Sequence, residues 1–410
     1  MKLIGPFKQL LTMDGLPHKG SLHDEQLEII QDAGILVEDG MILKTGFFPF
    51  LEDEAQQYGY DYDFIQGDYI AMPGMIDAHT HICYAGNRAV DYSMRLAGKS
   101  YLEIAAMGGG IWSTVQKTRN ASNDLLLHLM LKRLEVLQSE GITSVEVKSG
   151  YGLNIHDELR MLEVISNADS LLPIDVIPTC LAAHIKPKDF TGTNLQYLEM
   201  LLEKLLPMVK SRELCKRVDV FVEKSAFTMD ESLFYVKNAK SMGFEITVHA
   251  DQFTVGGSEV ACNAGALSAD HLEASLENEI SMLAQSNTVA VCLPGASMGL
   301  GLPFAPVRKL LDAGASVAIA SDWNPGSAPM GDLLLQASVL GAYEHLSLAE
   351  TLAGITFRAA KAMNLNDRGI VKKGCIADMI AFPTSDYREV IYRQGKLKPD
   401  HVWKKGQKIK

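Results

Sequence analysis

Paired cysteines are missing from this sequence. The six it has, Cys83, Cys180, Cys215, Cys262, Cys292 and Cys375, are scattered over 410 residues with no C-x-x-C spacing. That excludes a disulfide framework and a four-thiolate metal knuckle, so the expectation is reduced thiols in a cytoplasmic protein. No uninterrupted membrane-length apolar run occurs either. The longest candidate, Val289 to Val307, is broken by Pro294, Pro303 and Pro306 and reads as a buried strand followed by a loop. Near the amino terminus, Gly5, Pro6 and Lys8 interrupt any apolar core of a secretory signal. A basic surplus is also lacking. The net charge of −12 argues against a general nucleic-acid or acidic-membrane binder, although one buried arginine can still receive an anionic substrate.

What is present is a large apolar fraction, 47%, arranged in alternating short strands and amphipathic helices, which is enough for a substantial core. From about residue 70 onwards the strand-like runs are Met72 to His81, Ile142 to Val147, Asp175 to Ala183, Val218 to Glu223, Glu245 to His249, Ser268 to His271, Thr288 to Leu293 and Val317 to Asp322. Helical patterns separate them. One is capped by Ser122 or Asn123 and stops at Gly141; others cover roughly 157–169 and 194–210; another is capped by Asp230 and ends at Gly243. Further helices are expected near 330–343 and 347–362.

Eight such units predict an α/β fold, a closed (β/α)8 TIM-like barrel over residues 71–362. Residues 1–70 read as short strands and turns, including a hairpin at Ile35 to Leu43. The tail adds strand-like text at Gly369 to Val371, Gly374 to Phe382 and Glu389 to Tyr392. Residues 1–70 and 363–410 are therefore expected to pair into a small β-sandwich domain.

The apolar run ending in His79-Thr80-His81 puts two imidazoles at strand parity, where both project from one face. Alone, the pair reads equally as half a metal site or as two surface histidines. His249 ends the fifth strand, His271 the sixth and Asp322 the eighth. In a barrel these ends converge on one face. His79, His81, His249 and Asp322 then make a metal site of three imidazoles and a carboxylate, suited to Zn(2+) or Fe(3+) with one position left for water. Asp322 is the candidate proton acceptor, and His271 a neighbouring residue that handles protons.

Longer motifs surround these residues: P-G-M-I-D-A-H-T-H at 73–81, K-S-G-Y-G-L at 148–153, V-H-A-D-Q at 248–252, A-D-H-L-E at 269–273 and A-S-D-W-N-P-G-S at 320–327. With R-L-A-G-K-S-Y-L-E-I at 95–104 and Gly108-Gly109-Gly110-Ile111, they resemble the metal-dependent amidohydrolase superfamily and, within it, the imidazolonepropionase family of histidine degradation. The resemblance covers nearly the whole chain. It implies hydrolysis of the ring C–N bond of 4-imidazolone-5-propanoate to N-formimidoyl-L-glutamate. It also implies substrate contacts from Arg88, Tyr151, His184, Gln252, Asn324, Gly326 and Ser327, and by analogy a homodimer.

Each contact has a physical rationale. Arg88 offers a fork for the propionate, Tyr151 and His184 can hydrogen-bond oxygens, and Gln252 can donate and accept at an imidazolone edge. The Asn324 turn, with the backbone of Gly326 and Ser327, is a polar place for a carboxylate to rest. Taken singly, Arg88 reads as a surface ion-pair partner, Tyr151 as packing, and the glycine run as a loop without a ligand. Many two-metal relatives carry a bridging lysine after the fourth strand. Here that stretch reads Glu223-Lys224, which favours a single metal.

Overall fold

Eight parallel strands follow one another around a barrel in the computed structural model, which describes residues 1–99, 103–104 and 107–410. They are β1 (Met75–Asp77), β2 (Ile142–Lys148), β3 (Asp175–Ala183), β4 (Arg217–Phe221), β5 (Glu245–Ala250), β6 (Ser268–His271), β7 (Val289–Cys292) and β8 (Val317–Ile319). Each pairs with its sequence neighbour. The ring closes between its ends: the Thr80–Trp323 bridge is flanked by His81 N–H donating to the Trp323 carbonyl at 2.9 Å and Asp322 N–H donating to the His79 carbonyl at 3.0 Å. Helices cover the outside, and a continuous apolar core fills the space between them and the strands.

A second sheet of eight strands joins the two chain ends and carries its own core of Ile4, Phe7, Ile35, Met379 and Trp403. It contains Ile70–Pro73, which pairs with Met379–Phe382, so the chain passes from this sheet to the barrel at Gly74. The Gly74 amide bonds the tail at Asp378, and the next amide, of Met75, bonds the barrel at Gly141. A side chain at Gly74 would collide with Thr143, so only glycine fits this crossing.

Several local expectations are corrected. The His79-Thr80-His81 stretch lies just beyond β1 rather than on it; the single bridge at Thr80 keeps the alternation. Residues 1–70 hold a helix, Phe48–Tyr58, with Pro49 in its first turn, Gly59 as its left-handed cap, and Phe48, Leu51 and Ala55 buried against Leu3 and Leu36. The helix at Met229–Ser241 is capped by Thr228, not Asp230, because Thr228 and Glu231 form a reciprocal capping box. Arg388–Tyr392 is a helical turn rather than a strand, started by the Asp386 carboxylate accepting the Arg388 amide at 3.0 Å. The helix near 194–210 is real but includes a π-helical turn at Leu201–Leu205.

Candidate metal and substrate site

Four donor atoms meet at the carboxyl-terminal end of the barrel. His79 Nε2 and His81 Nε2 are 3.2 Å apart, and His81 Nε2 and His249 Nε2 are 3.3 Å apart. Asp322 Oδ1 lies 3.6 Å from His79 Nε2 and 3.4 Å from His81 Nε2. His271 joins them: its donor lies within 4.8 Å of those of His79 and His249. That is within reach of an ion held by the others. All five residues are buried.

The tautomers follow from what stands behind the rings. His79 Nδ1 hydrogen-bonds Asp270 Oδ2 at 2.6 Å, and His249 Nδ1 faces Asp219 Oδ2 at 3.0 Å. With protons held on Nδ1, the Nε2 lone pairs of these two rings both face His81 Nε2, and that of His79 also lies beside the Asp322 carboxylate. Such an array repels itself unless a cation sits among it, so the donor set fits a metal ion. Burial works the same way. It holds His79 well below the usual histidine range, and His81 at about 3, in both cases aided by the Lys148 charge. Burial also takes His249 to about 4, against the opposing pull of Asp219. Neutral imidazoles are what a cation needs.

Asp322 and His271 have left-handed backbones, with φ of 51° and 94°. These conformations are costly for residues with side chains, and here they turn both groups into the site. Burial raises the Asp322 carboxyl, although His271 and His249 oppose the shift. For His271, burial acts to lower the pKa, but Glu273, 3.5 Å away, together with the Asp322 and Asp270 carboxylates raises it overall.

The other anticipated residues line the rim. The His184 ring stacks on His81 with centroids 5.6 Å apart, and its Nδ1 contacts the Gly150 carbonyl at 3.0 Å. Tyr151 is buried 5.8 Å from the His184 ring. Glu158 positions both residues by accepting the amides of Gly150, Gly152 and Leu153. Gln252 is half-buried just after β5. The loop that carries it is tethered by Glu223, whose Oε2 accepts the amides of Phe253 and Thr254. Lys224 points to solvent.

Arg88 donates through Nε to Asp91 at 2.8 Å, and Asp91 also accepts the Gly110 amide at 2.8 Å, which ties the glycine run to this arginine. The guanidinium packs against Gly326, where an added Cβ would overlap Nη1. The amides of Gly326 and Ser327 already donate to Asn324 Oδ1 at 2.7 and 2.8 Å, so the turn is satisfied from within. Residues 100–102 of the 95–104 motif lie outside the described residues; within it, Arg95 donates to the carbonyls of Gly299 and Gly326.

Sequence reasoning missed the layer beneath the donors. Lys148 Nζ lies 2.7 Å from Glu146 Oε2 and 2.8 Å from Asp219 Oδ2, all fully buried. The available signal was charge at inward positions of otherwise apolar strands: Glu146 and Lys148 in β2, Asp219 in β4, Asp270 in β6.

The chain is similar to known proteins in sequence and in fold. The amidohydrolase family profile matches residues 208–409. An imidazolonepropionase of Deinococcus deserti is 41% identical over 94% of this chain and 94% of its own length. One from Bdellovibrio bacteriovorus is 38% identical over 99% of this chain and 96% of its own. Among solved structures, a zinc-complexed atrazine chlorohydrolase from Arthrobacter aurescens superposes with a TM-score of 0.71 at 16% identity, covering 100% of this chain and 95% of that one. A zinc-bound adenosine deaminase from Xanthomonas campestris also gives 0.71, at 15% identity, covering 99% and 92%. These structures share the fold. Among the described residues, no helix is long and apolar enough to cross a membrane.

Proposed function

Because the chain belongs to the imidazolonepropionase family of amidohydrolases, we propose that it hydrolyses the ring C–N amide bond of 4-imidazolone-5-propanoate to N-formimidoyl-L-glutamate. It is a hydrolase of C–N bonds that takes a small-molecule substrate and a metal ion. The observation that carries the substrate assignment is Arg88, poised over Gly326 and the Asn324 turn, two residues from the Asp322 donor.

We assign the metal ligands as His79, His81, His249 and Asp322, with zinc or iron(III) as the ion. Held by these residues, the ion would supply an activated water near neutral pH and a Lewis acid for the carbonyl under attack. Asp322 accepts the proton of the attacking water; its burial-raised carboxyl suits a group that takes a proton and gives it back. His271, backed by Glu273, shares delivery of that proton to the departing ring nitrogen. Arg88 keeps Nη1 and Nη2 beyond the Nε engaged by Asp91, and these pair with the propionate. Tyr151 and His184 wall the pocket beside His81 and hydrogen-bond substrate oxygens. Gln252 donates and accepts at the ring edge, and as an amide it moves no proton. Asn324, Gly326 and Ser327 shape the floor beneath Arg88.

We further place the protein in the cytoplasm as a homodimer. Its six free cysteines suit a reducing compartment, and two-fold pairing is the commonest assembly of such enzymes. The deciding assay follows the loss of ultraviolet absorbance of 4-imidazolone-5-propanoate with metal-loaded protein. No loss of substrate overturns the assignment, and ammonia release from heterocyclic amines instead would mark a deaminase.

A further inference from the structure

Barrel interiors are ordinarily filled by branched apolar side chains, layer by layer, from alternate strands. Here the layer under the donor atoms is charged. Lys148 and Glu146 come from β2, Asp219 from β4 and Asp270 from β6, and each has a fractional exposure of 0%. Burying an ammonium among carboxylates is costly, and an apolar layer of equal volume is often at least as stable. Stability therefore gives little reason to keep this layer.

Its geometry gives a better one. The Asp270 oxygen that holds His79 Nδ1 at 2.6 Å, Oδ2, is the oxygen that faces Lys148 Nζ at 3.6 Å. The Asp219 oxygen that faces His249 Nδ1 at 3.0 Å, also Oδ2, lies 2.8 Å from the same Nζ. One ammonium thus stands between the two oxygens that orient two imidazoles from opposite sides of the barrel. Glu146 anchors it from a third side at 2.7 Å. Glu146 is itself fixed by Thr179 Oγ1 at 2.5 Å and touches neither imidazole.

We propose that Lys148 is a positioning residue for the metal centre: by binding Asp219 and Asp270 together it sets the directions of His249 and His79 toward a shared ion. This rests on the ligand assignment above, and no catalytic step passes through Lys148. Without the ammonium, two buried carboxylates on the strands either side of β5 repel each other and the rings they hold lose their fixed aim.

The test uses the whole protein and reads the metal rather than turnover. Lys148→Met, close to lysine in shape but uncharged, is expected to weaken zinc binding about 10- to 100-fold in chelator competition. It should also shift the visible absorption bands of the cobalt-substituted protein, which report ligand geometry. Folded Lys148→Met with wild-type zinc affinity and unchanged cobalt bands would overturn the proposal, whatever its melting temperature. If Lys148→Met does not fold, Glu146→Gln decides on the same two readouts. It removes the anchor's charge while leaving both imidazole partners intact; a weaker shift in the same direction upholds the proposal, and no shift overturns it. Wild-type protein that binds zinc but leaves the imidazolone intact would remove the substrate assignment while keeping these readouts valid.

Discussion

The Asp322 amide donates to the His79 carbonyl at 3.0 Å, so the hydrogen bond that closes the barrel also sets the fourth donor beside the first. The barrel seam and the metal site are one construction. Asp322 is therefore placed by backbone, and its carboxylate can be altered without moving the main chain.

That separation makes Asp322→Asn informative. The amide keeps the shape and the seam but cannot take a proton. We expect kcat to fall about 10²- to 10⁴-fold, the usual contribution of a positioned acid–base group, while circular dichroism stays native. Elemental analysis should find metal still bound on the three histidines. A variant with metal retained and near-normal turnover would move the proton role to His271.

Much of this was legible in the residues. The alternation of strand and helix gave the barrel because parallel strands buried on both sides leave continuous apolar runs. His79, His81, His249, His271 and Asp322 stood out because each interrupts or ends such a run. The Lys148 layer stayed hidden because its meaning depends on which oxygen faces which nitrogen across strands far apart in sequence. The internal bonding of the Asn324 turn stayed hidden for a related reason: Asn324 takes the Gly326 and Ser327 amides locally, a choice the turn makes only once folded. The helix at Phe48–Tyr58 was missed although Pro49 and Gly59 bracket it, because its flanks read as strands.

Gly326→Ala tests the Arg88 pocket from the other side. A methyl group there would overlap Arg88 Nη1 and come within 3.3 Å of Asn324 Oδ1. The guanidinium must move, so KM should rise about 10-fold or more with kcat less affected, since a displaced charged hydrogen bond costs about 1.5–3 kcal/mol. Arg88→Met should raise KM at least as much, and steady-state kinetics on both variants checks the pairing. Unchanged KM in both would detach Arg88 from the substrate carboxylate.

The junction of barrel and sheet should respond to acid. Asp175 at the start of β3 receives Lys404 at 2.7 Å and also pairs with Arg368. Burial pushes its carboxyl up, but these two cations prevail and hold it below the usual carboxylate value. A depressed carboxyl stabilises the fold above its unfolded pKa of about 4, and this is lost as pH falls through the lower folded value. Asp175→Asn should therefore cost about 1.5–3 kcal/mol at pH 7, with the gap to wild type closing below about pH 4. Urea unfolding at both pH values measures it.

Metal removal should abolish activity and spare the architecture. The donors sit on strands whose apolar core does not depend on them, and the carboxylates behind the rings come from the barrel itself. Chelator-treated protein is thus expected to keep its far-ultraviolet circular dichroism and to melt cooperatively at a lower temperature. Adding back zinc should raise the melting point with concentration, by an amount reaching about 4 kcal/mol of stabilisation when free metal is about a thousandfold above its dissociation constant. Activity should return along the same titration, in step with occupancy of one ion per chain. His249→Ala should lose both responses together, because it removes one donor and the imidazole that Asp219 faces. A metal-free protein that still hydrolyses the imidazolone would overturn the role assigned to the cluster.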